Sequence, residues 1–112
     1  MKQLDDLSFS TALEALHRKF RIRLGEGAVV ELELVAAQEH GSVSHSGSSG
    51  KVDTESFSLF FLGPLNPVLP QRTYLFEQEK LGEFSLFIVP IGREKIGIKY
   101  EAVINRIRRE NP

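Results

Sequence analysis

Between Lys19 and Leu34 the chain alternates apolar and charged side chains with a period of two, interrupted once by Gly25-Glu26-Gly27. Phe20, Ile22 and Leu24 share one face of the first run, with Lys19, Arg21 and Arg23 on the other. In the second run Val30, Leu32 and Leu34 alternate with Glu31 and Glu33. Successive strand residues point to opposite faces, whereas helical neighbours recur every three or four, so the segment reads as two half-buried strands of a hairpin. A one-residue slip would turn every side chain to the wrong face, so parity selects the register. Leu24 opposite Ala28 leaves a three-residue loop with Gly27 left-handed; Ile22 then faces Val30, Phe20 faces Leu32, Arg21 faces Glu31 and Lys19 faces Glu33. A two-residue turn at Glu26-Gly27 would set Arg23 against Val30 and mix the faces.

Helical spacing precedes that hairpin. In the N-terminal segment, residues 1–17, apolar residues at Phe9, Ala12, Leu13 and Leu16 recur with the period of a helix, with Thr11 and Glu14 placed for a capping box and Ser8 or Ser10 as alternative N-caps. Such a helix is too short to persist alone, so its apolar face is expected to cover one end of a sheet. Residues 40–54 are rich in Gly and Ser and read as a flexible loop. Ser56 to Leu62 returns to strand character and is apolar on both faces at its end, which requires cover on both. Three of the five prolines fall in residues 63–71, which therefore cannot be a central strand and read as a stiff, extended crossover. Strands are expected at Arg72 to Gln78 and Glu83 to Ile91, with a turn near Lys80-Leu81-Gly82. A polar loop spans Gly92 to Gly97. The last strand runs from Ile98 to Ile107 with Tyr100, Ala102 and Ile104 inward, and the tail from Arg108 to Pro112 is expected to fray.

One short N-terminal helix and about six strands at hairpin-like spacing predict a mainly β single domain over residues 1–112, a small antiparallel barrel or rolled sheet. Fourteen Lys plus Arg against fifteen Asp plus Glu leave a formal charge of -1, so no global field draws the protein to nucleic acid or an anionic membrane. No cysteine is present, which removes disulfides, thiolate nucleophiles and cysteine-based metal sites. The longest apolar runs are far shorter than the roughly 20 residues of a membrane span. The mixed, acidic opening from Met1 to Leu7 lacks the basic-then-apolar order of a secretory signal, so the cytoplasm is the expected compartment.

No constellation reads as catalytic, cofactor-binding or metal-binding. His40 and His45 lie near several serines but lack a third ligand at fixed spacing and a rigid element, and no Gly-x-Ser-x-Gly elbow exists. Glu31 and Glu33 are expected to face Arg21 and Lys19 in a solvated ladder. Gly47-Ser48-Ser49-Gly50-Lys51 lacks the spacing and following helix of a phosphate loop, and the basic end Arg106, Arg108, Arg109 has Glu110 beside it. The crossover offers a different kind of feature. Leu65, Val68 and Leu69 are apolar residues on a pre-stiffened backbone, suited either to docking a protein partner or to capping the barrel mouth.

Longer blocks carry a resemblance: Phe57-Ser58-Leu59-Phe60-Phe61-Leu62-Gly63-Pro64, then Leu69-Pro70-Gln71-Arg72-Thr73-Tyr74, Leu81 to Gly92 with Phe87-Ile88-Val89-Pro90-Ile91-Gly92, and Tyr100-Glu101-Ala102-Val103-Ile104-Asn105. These resemble a bacterial family of small β-rich domains of unknown function over most of residues 18–105. Arg72 stands where that family tends to Gly, and Ile104 where it tends to Phe. The resemblance implies a fold and no catalytic residues. It also implies a structural or assembly accessory, since members are encoded near phage-tail-collar-like fibre proteins. The expected function is therefore a non-enzymatic structural or assembly module without cofactor, acting through association with a protein partner. That partner is either another copy or a neighbouring encoded protein, and the contact is made through Leu65, Val68 and Leu69 or a sheet edge. The alternative is a barrel enclosing a small apolar ligand, with Phe60, Phe61, Tyr74, Phe76 and Phe87 as lining.

Overall fold

The structure is a computed structural model that describes residues 7–47 and 50–110, with side chains described over 7–40 and 55–106. Helix α1 (Phe9–Glu14) precedes six strands: β1 (Lys19–Arg23), β2 (Val29–Gly47), β3 (Gly50–Gly63), β4 (Arg72–Gln78), β5 (Gly82–Glu94) and β6 (Gly97–Glu110). All strand pairs are antiparallel, and the order β1-β2-β3-β6-β5-β4 closes on itself as a barrel through β4 and β1. The expected barrel of six strands with one short helix is therefore the observed fold.

The first hairpin has the register that parity selects: Lys19 pairs with Glu33, Phe20 with Leu32, Arg21 with Glu31 and Ile22 with Val30. Leu24 N–H donates to the Ala28 carbonyl at 2.8 Å, which leaves Gly25-Glu26-Gly27 as the loop. Gly27 is left-handed at φ 82°, as expected, and so is Glu26 at φ 64°. A β-carbon at that φ crowds the following carbonyl. Glu26 is also exposed. Glu26→Gly is accordingly expected to raise stability by about 1 kcal/mol, read as a higher urea midpoint at unchanged slope. An unmoved or lower midpoint would mean that the loop holds Glu26 without strain.

The facing positions of β1 and β2 form ion pairs only in part. Lys19 Nζ lies 3.4 Å from Glu33, but Arg23 reaches across to β4, 2.7 Å from Glu77. That hydrogen bond holds the Glu77 carboxyl below the usual carboxylate range. Arg21 and Glu31 share a register position, and no ion pair between them occurs among the described residues.

The barrel interior is filled by its own aromatic rings. Phe20, Phe61, Phe76 and Phe84 are almost fully buried, with centroids 5.2 Å apart for Phe20 and Phe61, 5.4 Å for Phe61 and Phe76, and 5.8 Å for Phe76 and Phe84. Six strands enclose a narrow space, and four interlocked rings occupy its centre. Leu32, Leu34, Leu59, Ile22, Ile88 and Tyr100 complete the core. Tyr100, Ala102 and Ile104 point inward as the alternation requires.

Helix α1 covers one end. Ser8 is its N-cap and accepts from Thr11 N–H at 3.1 Å, so the cap is Ser8 rather than a Thr11–Glu14 box. Ala12 and Ala15 are buried, Leu13 is exposed, and the Phe9 ring meets Phe57 at 5.5 Å. His17, itself left-handed, donates its backbone N–H to the Leu34 carbonyl and so ties the helix exit to β2.

Residues 40–54 depart from the loop expectation. β2 continues to Gly47 and β3 starts at Gly50, with Gly41 to Gly47 paired to Gly50 to Ser56 after bulges between Leu34 and Ala36 and between Glu39 and Gly41. Ser48 and Ser49 lie outside the described residues, as does the side chain of His45. Loop composition misled here because Gly and Ser carry no alternation to read, while β3 is held in extended form by its other neighbour. β3 pairs with β6 without a register shift from Lys51 and Glu110 to Gly63 and Ile98. The expected polar loop at 92–97 is likewise tighter, a turn at Lys95-Ile96 with strand on both sides.

Candidate docking surface at the crossover end

Opposite α1, the chain leaves β3 at Gly63 and re-enters the sheet at Arg72, crossing the barrel end because β3 and β4 are not neighbours. Two hydrogen bonds anchor this crossover to the core. Leu69 N–H donates to the Tyr100 hydroxyl at 2.9 Å, and the Tyr74 hydroxyl donates to the Pro70 carbonyl at 2.6 Å. Burial pushes the Tyr74 phenol up, against the pull of the Arg72 guanidinium stacked 5.0 Å over its ring. The crossover contains a cis Asn66–Pro67 peptide.

The three candidate residues separate by burial. Leu69 is 2% exposed and plugs the barrel mouth, Leu65 is half-buried against the core, and Val68 is 47% exposed. A partner can therefore reach Val68 and the rim of Leu65, but not the side chain of Leu69.

Beside them runs an open groove of about 540 Å3, walled by Pro64, Asn66 and Pro67 of the crossover and by Val29, Leu62 and Ile96 of three strand ends or turns. Lys19, Glu31 and Glu33 form its charged side. Val29 is 52% and Ile96 77% exposed. Both were legible in principle: Val29 lies on the charged parity of β2 with Glu31 and Glu33, and Ile96 is an isoleucine in an otherwise polar turn. Gly97 lets that turn approach the Gly63 carbonyl, since a β-carbon there would overlap it.

A second constellation escaped sequence reasoning. His40, on β2 at the second bulge, places Nε2 2.7 Å from Ser58 Oγ, and Ser58 Oγ donates to Glu101 Oε2 at 2.6 Å. His40 is exposed, as the solvated reading expects, but it stands on a strand and not in a loop, so the expectation that it lacks a rigid support is corrected. The hydroxyl has one proton and gives it to Glu101, so Ser58 accepts from the imidazole N–H. Ser58 is fully buried although it lies on the outward parity of β3. The trio clasps β2, β3 and β6 together and leaves no face of the hydroxyl open to a reactant. Its members are 18 and 43 residues apart in sequence, with no local signal joining them.

Of the five aromatic residues considered for a ligand cavity, Phe61, Phe76 and Tyr74 are packed into the core. Phe60 lies on the outer face with Lys99 Nζ 5.4 Å over its ring, and Phe87 is half-exposed. No group of three or more His, Asp or Glu side chains among the described residues is arranged to hold a metal ion. No helix among the described residues is long and apolar enough to cross a membrane.

No curated protein and no solved structure matches the chain. The blocks from Phe57 to Ile104 fall within the span matched by one family, and on that match over residues 7–104 the chain belongs to the family described as Domain of unknown function (DUF6916).

Proposed function

We propose that this domain is a non-enzymatic structural or assembly module that binds another protein at the crossover end of its barrel. The observation that carries the reading is the pair Val29 and Ile96, both more than half exposed, lining a groove walled by the proline-rich crossover, on which the exposed Val68 follows directly after Pro67. Exposed apolar side chains cost solvation singly, and their concentration on one rigid surface is the pattern of a contact site. The filled interior supports the same reading, because a ligand-enclosing barrel would need space that the phenylalanine rings occupy. On this reading the domain is an accessory of a phage-tail-like fibre in a bacterial cytoplasm, with a neighbouring encoded fibre protein as partner.

The test uses natural cross-linking handles. Lys19 lines the groove and Lys95 precedes Ile96 in the turn. Lysine cross-linking with the neighbouring fibre protein, read by mass spectrometry, is expected to map to Lys19 and Lys95. Val68→Asp and Ile96→Asp are expected to weaken binding by at least about tenfold. Both residues are exposed, so melting should stay within about 0.5 kcal/mol of the parent. Binding that is indifferent to both substitutions would overturn this surface as the site.

A further inference from the structure

The seam between β5 and β6 is only partly closed. The two strands pair from Gly97 and Glu94 up to Glu101 and Val89, and there they part. Beyond that point β5 pairs with β4 over Gly82 to Ile88, and β6 pairs with β3 up to Glu110. Among the described residues no strand lies along the outer edge of β6 from Ala102 onward. Phe87 and Val103, whose positions would face each other if the ladder continued, are 50% and 57% exposed.

An unpaired strand edge offers a row of free N–H and C=O groups, and proteins commonly blunt such edges with bulges or proline. The other long edge of this sheet, β2 beyond Glu33, has two bulges. The β6 edge has neither device: its ladder with β3 is unshifted, and residues 102–110 contain no proline. A straight, regular edge with an exposed valine is suited to pairing.

We infer that two copies of this chain associate by pairing their β6 strands antiparallel, edge to edge, about a two-fold axis at Asn105. Register decides the position of the axis, since a two-fold places residue i opposite a fixed sum minus i, and side chains opposite each other share a face. With the axis at Asn105 the free edge from Ala102 pairs with positions up to 108 of the second copy, and position 103 lies opposite 107, so a valine and an isoleucine share a register position. An axis at Arg106 would set like charges directly opposite, which destabilises a strand pair. An axis at Ile104 shortens the shared edge. Arg106 lies on the inner parity, and Glu55 lies 3.7 Å from it within its own chain. This surface is separate from the crossover end, so the inference goes beyond the docking reading and does not depend on it.

The absence of cysteine makes the register directly testable. In the full chain, Asn105→Cys places a thiol opposite its own copy at a Cα separation of about 4.5–5.5 Å, within disulfide range. Oxidation at micromolar protein is expected to give a covalent dimer in near-complete yield. Val103→Cys is displaced from its own copy by four residues, roughly 13 Å along the strand, and should stay uncrosslinked alone. Mixed with Ile107→Cys it should give the heterodimer. Because Asn105 accepts from Ser56 at 2.6 Å, thermal unfolding of Asn105→Cys checks that the fold survives. Light scattering should show a dimer of the unmodified chain, weakened at least about tenfold by Val103→Glu. Val68→Asp and Ile96→Asp should leave the cross-link untouched, which separates this result from failure of the docking surface. A monomer throughout the micromolar range, or cross-linking of Val103→Cys alone as fast as Asn105→Cys, overturns the inference.

Discussion

Phe61→Ala is expected to cost about 3–5 kcal/mol, a large share of the stability of a domain this size. Phe61 is fully buried and touches both Phe20 and Phe76, so its removal strips ring contacts from two neighbours as well as its own burial. Backbone ladders on both sides of β3 hold the walls apart, so the space cannot collapse fully. The melting temperature should fall by roughly 10 °C or more. The same variant discriminates the two functional readings. An apolar cavity opened in a packed core binds small apolar molecules, so benzene should raise the melting temperature of Phe61→Ala and leave that of the parent unchanged. Stabilisation of the parent by such a probe would show that the barrel already holds space, and would favour the ligand-binding alternative.

The second large effect is expected at the crossover. Leu69→Ala should destabilise by about 2–5 kcal/mol, whereas Val68→Ala, one residue away, should stay within about 0.5 kcal/mol. Leu69 is 2% exposed, and its backbone N–H is fixed on the Tyr100 hydroxyl, so the side chain is held in the mouth of the barrel. Tyr100→Phe isolates the anchoring bond: it leaves the Leu69 N–H buried without a partner, at a cost of about 1–3 kcal/mol. Urea unfolding of the three variants reads all of this. Equal losses at Leu69 and Val68 would mean that the crossover packs as a unit and presents no separable contact residue.

The consequence for function is that the proline-rich segment divides its apolar residues between two tasks. Leu69 belongs to the fold, Val68 to the surface, and Leu65 lies between them. Composition and spacing could not assign them, because a connection of this kind has no period to read. The cis peptide at Asn66–Pro67 and the two hydrogen bonds that seat the segment are made with residues of β4 and β6 or within the crossover itself.

The amino-acid sequence by itself determined the local alternation and its immediate consequences. The β1–β2 register, the left-handed Gly27, the inward Tyr100, Ala102 and Ile104, and the crossover over 63–71 all come from side-chain parity or from the backbone limits of Gly and Pro. These are properties of a few adjacent residues, so neighbours suffice to read them. Only the tertiary structure decided the rest. Closure of β4 on β1, extension of β2 and β3 through the Gly/Ser-rich stretch, burial of the outward Ser58 under His40 and Glu101, and the parting of β5 from β6 each depend on which distant strand lies alongside. Strand pairing is made by backbone groups that every residue carries, so its partners are chosen by the packing of the whole barrel and leave no mark in the segment that is paired.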